Sequence, residues 1–174
     1  MKRIHTAVAI SAAMSLAGCA GSISAPTQIQ ALSAEHKASL HLSGVSADAA
    51  SGVDMRATDF EIICEKVKSY IQTQAPGVFV DQAGGKPDVM KIHFTLFDRG
   101  NAFARAMLAG LGQIRIEATV YIIDPSGQQV GQYEVSKDFS FGGIYGAATT
   151  VEDVEDGFAK SVAEIVKTTE RPNS

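Results

Sequence analysis

From residue 114 to 122 apolar and polar side chains alternate without a break. Ile114, Ile116, Ala118, Val120 and Ile122 fall on one side, and Arg115, Glu117, Thr119 and Tyr121 on the other. Successive strand side chains point to opposite faces, so this is a half-buried strand in a sheet with one covered face. Asp124-Pro125-Ser126-Gly127 follows and fits a type I turn, with proline fixing φ at the second position. The chain then returns as a partner strand over 130–141, with Tyr133, Val135, Phe139 and Phe141 on one side and Glu134, Ser136 and Asp138 on the other.

Two further strands show the same period. Over 39–47, Leu40, Leu42 and Gly44 alternate with His41, Ser43 and Val45; over 89–97, Ile92, Phe94 and Leu96 share one face and Lys91, His93, Thr95 and Phe97 the other. Val78-Phe79-Val80 is a short fifth candidate. Two segments change to a helical period. Thr58 or Asp59 caps the first, whose stripe is Phe60, Ile63, Cys64, Val67, Tyr70 and Ile71, and Pro76-Gly77 closes it. Thr149 or Thr150 opens the second, each with an acid three residues on, Glu152 or Asp153, as a capping box requires. Its stripe is Val151, Val154, Phe158, Val162 and Ile165. The order strand, helix, strands, helix predicts an α+β two-layer sandwich: a mostly antiparallel sheet of four to five strands with two helices on one face.

The N-terminus reads as an export signal, with Lys2 and Arg3 before an apolar run from Ala7 to Leu16. That run is about half the roughly 20 residues that span a bilayer. Leu16-Ala17-Gly18-Cys19 resembles the lipobox of bacterial lipoproteins, which implies cleavage before Cys19 and acylation of its thiol and amine. Two or three acyl chains on one residue make a near-permanent anchor. Ala20 stands where lipoproteins kept in the inner membrane of enterobacteria carry Asp, so the resemblance implies the outer membrane, on its periplasmic face. The expected organisation is a signal over 1–18, an acylated cysteine and flexible tether over 19–37, and one domain over 38–170.

Two of the 15 Lys and Arg residues lie in the signal, leaving 13 against 19 Asp and Glu. An acidic mature chain without a basic stripe argues against a nucleic-acid partner. With Cys19 acylated, Cys64 is the remaining thiol, so no internal disulfide is expected. Its place in a helical stripe makes it a small core residue.

Catalytic patterns are weak. Gly142-Gly143-Ile144-Tyr145-Gly146 precedes a helix, but Glu152, Asp153, Glu155 and Asp156 at that helix start would repel an anion, and the P-loop lysine is missing. The same four carboxylates splay around the helix and read as a solvated, dipole-matched face rather than a cation site. His36, His41 and His93 do not fall at metal-ligand spacing, with the latter two on the outer face of their strands; no HExxH, CxxC or Gly-x-Ser-x-Gly occurs. The expectation is a non-enzyme without metal or cofactor. The connection from Arg99 to Gly112 is longer than most hairpin loops. Phe103, Met107, Leu108 and Leu111 line one face of a short helical turn, flanked by Arg99 and Arg105. It is either a finger that docks a partner or dips into a membrane, or a flap folded over the sheet. Phe103, Arg105, Met107, Leu108 and, from the glycine loop, Tyr145 are the candidate contacts.

The run Asp98-Arg99-Gly100 through Gly110-Leu111-Gly112, the strand ending in Pro125-Ser126-Gly127, and Phe141-Gly142-Gly143-Ile144-Tyr145-Gly146 before an acidic-capped helix resemble a bacterial lipoprotein family known only as a domain of unknown function. The resemblance spans about Asp88 to Lys167 and implies a small α+β envelope lipoprotein with no catalytic residues to carry over. The functional expectation is a membrane-anchored, periplasm-facing lipoprotein that docks a partner in the cell envelope. The alternative is a module that holds a lipid or other small amphiphile between helices and sheet. Oligomeric state is not legible in these patterns.

Overall fold

The computed structural model describes residues 25–79, 86–107, 112–139 and 148–167, with the backbone alone at 105 and 106. In chain order the elements are β1 (Thr27–Gln30), α1 (Ala34–Ala38), β2 (Leu42–Ala49), α2 (Ala57–Gln74), β3 (Asp88–Asp98), α3 (Ala102–Met107), β4 (Ile114–Ile123), β5 (Gln129–Phe139) and α4 (Val151–Ala163). The five strands form one sheet in the order β1-β5-β4-β3-β2, antiparallel except that β2 runs parallel to β3. This is the α+β fold the periodicities predict.

At the centre of the sheet, Ile114, Ile116, Ala118, Val120 and Ile122 of β4 are all buried. The β4–β5 turn is held by Asp124, whose Oδ1 accepts the backbone N–H groups of Ser126 (2.8 Å) and Gln128 (2.9 Å), while Gly127 takes a φ of +88°. Both long helices cover the same face. The ring of Phe94 in β3 lies 6.0 Å from Phe60 of α2 and 5.5 Å from Phe158 of α4. Ile63, Val67 and Ile71 from α2 and Phe158 and Val162 from α4 are fully buried around it. Burying one such side chain contributes about 1.5–3 kcal/mol.

The cap of α4 forms as expected: Thr150 Oγ1 accepts the Asp153 N–H (3.2 Å) and Asp153 Oδ2 accepts the Thr150 N–H (2.8 Å). Glu155 departs from the expected solvated face. It is buried against α2, where Lys66 Nζ donates to its Oε2 at 3.3 Å and pairs with Asp156 at 2.8 Å. Burial pushes the Glu155 carboxyl up from its ordinary range, against the pull of Lys66. The residues in question are thus an interhelical tie as well as a dipole-matched turn.

Three expectations need correction. First, the cap of α2 is Arg56, two residues before Thr58, and Asp59 is not the cap but the third helical residue, whose Oδ2 accepts the Arg56 backbone N–H at 2.7 Å. Second, the later part of the expected tether holds regular structure. Thr27–Gln30 pairs with β5 as an edge strand, and Ser33 caps α1 by accepting the His36 N–H at 3.1 Å. The tether prediction fails because β1 is exposed at every residue, and a strand held by ladder hydrogen bonds alone leaves no apolar pattern.

Third, strict alternation fails twice, each time at a β-bulge. One extra residue in a strand moves all later side chains to the opposite face. Between Leu42 and Val45 the register against β3 slips, so Leu40 and Leu42 are buried but Val45, Ala47 and Ala49 pack on the core beyond the bulge. Between Phe94 and Leu96 the register against β4 slips likewise. Phe97, not Leu96, is therefore buried. The Val78–Val80 candidate is described as far as Phe79, which makes a single parallel bridge to Leu42. Cys64 is a buried free thiol in the helix stripe, and burial raises its pKa, as suits a core residue.

Candidate functional site

The connection between β3 and β4 has a braced base. Asp98 Oδ1 accepts the Gly100 N–H at 2.8 Å, the Asn101 N–H donates to the Gly112 carbonyl at 3.2 Å, and Asn101 Oδ1 accepts the Ala104 N–H at 3.0 Å, starting α3. Gly100 holds φ at +62°, and a Cβ there would overlap the carbonyl oxygens of Gly112 and Gln113. Both facts demand glycine. Gly100→Ala is expected to destabilise the domain by about 1–2 kcal/mol, the usual scale of left-handed strain. Equal urea midpoints for the variant and the native chain would contradict this account of the base.

Arg99 fastens the same base to α2. Its guanidinium donates to Asp59 Oδ2 at 2.5 Å and to the Asp54 carbonyl at 3.0 Å, and stands 4.7 Å above the Phe97 ring. Asp59 also accepts Arg56 Nη2 at 3.0 Å. Burial of Asp59 favours its neutral form, but the hydrogen bonds from Arg56 and Arg99 outweigh it and hold the carboxyl at about 2.

Beyond this base the side chains turn outward. Phe103 is 75 % exposed and Met107 66 %, the two most exposed large apolar side chains among the described residues. Four residues apart on α3, they share one side of the helix. These two side chains are therefore exposed and do not cover the sheet. Arg105 lies between them in α3. Cys19, Leu108, Leu111, Tyr145 and the glycine loop around Tyr145 lie outside the described residues.

The structure brings together other groups that sequence spacing does not. His93 Nδ1 lies 2.6 Å from Asp48 Oδ1 and Lys91 Nζ 2.8 Å from Asp48 Oδ2, on the uncovered face of the sheet. The hydrogen bonds of Lys91 and then His93 lower the Asp48 pKa. His36 Nε2 lies 2.9 Å from Asp88 Oδ1, and His41 Nδ1 lies 2.7 Å from the Ser39 carbonyl. Asp88 is shared, since its Oδ2 accepts the backbone N–H of His41 at 3.4 Å, but the three imidazole rings have separate partners. The Asp48–His93 pair depends on the parallel register of β2 on β3, and the Asp59–Arg99 pair joins residues 40 apart. Only Arg99, flagged as a flank of the finger, had a local signal.

The sequence matches the domain of unknown function DUF4410 over residues 23–143. The chain belongs to this family. The match takes in all five strands, α2 and the finger, and ends before α4. No curated protein matches the DUF4410 chain in sequence. Among solved structures, the PelC dodecamer of Paraburkholderia phytofirmans is similar at TM-score 0.50 with 10 % identity, covering 75 % of this chain and 88 % of that one. A point variant of PelC gives 0.48 at 10 % identity over 75 % and 87 %. A Caulobacter crescentus protein described as a candidate lipoprotein gives 0.42 at 16 % identity over 77 % and 90 %. At such identities the likeness to PelC is one of fold.

Proposed function

We propose that this DUF4410 protein is a non-enzymatic lipoprotein, anchored by acyl chains on Cys19 at the periplasmic face of the outer membrane, whose domain docks in the cell envelope through its finger. The observation that carries the docking reading is the pair Phe103 and Met107, exposed on α3 in a connection whose base is fixed by Arg99, Asn101 and Gly100. Exposed apolar side chains on a braced support suit binding, because little ordering entropy remains to be lost. No helix among the described residues is long and apolar enough to cross a membrane; the anchor is argued from Leu16-Ala17-Gly18-Cys19 and its likeness to a lipobox.

The amphiphile reading places its ligand between helices and sheet. Ile63, Val67, Ile71, Ile92, Phe94 and Phe158 fill that layer and are fully buried. A cleft of about 680 Å³ opens elsewhere, under β1, where Lys37, Gln74, Glu164 and Lys167 line it beside Leu32 and Ile165. Its charged margin suits an acyl chain poorly. Docking is therefore the stronger reading.

Cys19→Ser is expected to leave the domain folded and to shift the processed protein from the membrane fraction to the soluble periplasm. Membrane fractionation of processed Cys19→Ser would overturn the anchor. A photo-crosslinker in place of Phe103 tests docking in cells, where discrete adducts to protein or to lipid are expected. PelC, alike in fold, is a dodecamer, so a second copy of the chain is one adduct to look for. No adduct at position 103 would overturn the docking role.

A further inference from the structure

The topology says what the finger meets. The chain leaves β3 at Asp98 and enters β4 at Ile114, which pairs with Phe139 of β5, so the finger projects from the sheet end marked by that pair. β1 lies antiparallel to β5, with Thr27 opposite Glu134 and Gln30 opposite Gln132. Since β5 runs toward the finger end, the chain must reach β1 from that same end. From Glu134 to Phe139 is five strand steps, about 17 Å at 3.4 Å per residue. From Cys19 to Thr27 is eight steps, with a reach of about 27 Å when fully extended. The segment is thus long enough to set Cys19 about 10 Å beyond the sheet end from which the finger projects.

Four of the six arginines stand at this end: Arg56 before α2, Arg99 and Arg105 in the finger connection, and Arg115 at the start of β4. Arg56 is 72 % exposed and Arg115 46 %. The acids Asp54, Asp59, Asp98, Glu117 and Asp138 share this end, Asp138 directly opposite Arg115, so the end is not net basic; Asp59 and Glu117 orient the guanidinium groups of Arg56, Arg99 and Arg115. Arginine is weakly hydrated, matches phosphate with a planar fork and carries an apolar stem, which suits the headgroup level of a bilayer. Apolar tips below and basic residues around them are the composition of an interfacial contact.

We propose that the finger docks on the lipid leaflet that carries the anchor. Phe103 and Met107 enter the boundary between headgroups and acyl chains, the exposed Arg56 and Arg115 lie at phosphate level, and the domain stands end-on with the β4–β5 turn pointing away. The proposal rests on acylation of Cys19.

The chain has no tryptophan, so Phe103→Trp adds a single fluorophore at the tip. The probe is the full acylated protein in vesicles of phosphatidylethanolamine and phosphatidylglycerol, with and without bromine on the acyl chains. Flotation reads anchoring, and emission reads insertion. The expected result is co-flotation, at least twofold quenching of Phe103→Trp by brominated lipid, and unchanged emission from Gln128→Trp at the opposite end. Protein that floats with Phe103→Trp unquenched overturns the proposal and assigns the finger to a protein partner. Equal quenching at both positions also overturns it, since the domain then has no preferred stance. Failure to float overturns the anchor reading itself, a result distinct from loss of quenching in floating protein.

Discussion

Phe94→Ala is expected to remove about 3–5 kcal/mol of stability, the range for losing a fully buried phenylalanine. Phe94 is the point where the layers meet: its ring touches Phe60 on α2, Phe158 on α4 and, at 6.4 Å, Phe97 beyond the second bulge. Truncation empties a volume bordered by two helices and a strand, none of which can close it without breaking its own ladder or stripe. The loss is a large share of the 5–15 kcal/mol that holds a domain of this size. Urea unfolding at pH 7 measures it. A loss under about 1.5 kcal/mol would mean the helices repack freely over the sheet, contrary to the packing described.

The second large effect belongs to Asp59, which joins α2 to the finger base. Its carboxyl sits at about 2 in the folded protein, against 3.8 for the ordinary group. A depressed folded value stabilises the protein above the ordinary pKa, and that stability is lost as pH falls through about 4 toward 2. A difference of nearly two units corresponds to about 2 kcal/mol. Asp59→Asn is expected to lower stability by about 2–3 kcal/mol at pH 7, because the guanidinium groups of Arg56 and Arg99 lose a buried anion. The variant should also lose part of the decline seen in the native chain between pH 5 and 2. Urea midpoints at several pH values check both. Parallel pH curves for the two proteins would show that the depressed value resides elsewhere.

Features determined by neighbouring residues were legible from sequence. The alternation of Ile114 to Ile122, the Asp124 turn and the Thr150–Asp153 capping box need no knowledge of the rest of the fold. Features determined by pairing were not. The bulges beside Val45 and Leu96 depend on where β3 meets its neighbours, and apolar residues on both sides of each bulge hide the change of face. β1 has no buried residue to announce it. At the candidate site, the apolar spacing of Phe103 and Met107 was readable, but their exposure was not, since the same spacing serves a buried turn. The clamp of Arg99 on Asp59 lay beyond reach because it joins a loop to a helix 40 residues earlier.

The edge strand β1 also determines when the fold can be completed. Its partner β5 lies about a hundred residues later, and the Leu32 N–H donates to the Tyr133 hydroxyl at 2.9 Å across a separation of 101. Contacts so distant form late, since their loop-closure entropy is offset only once the intervening chain is ordered. The first of the five strands to emerge during synthesis must therefore wait for the last before it can join the sheet, with the Leu32–Tyr133 hydrogen bond closing the same gap.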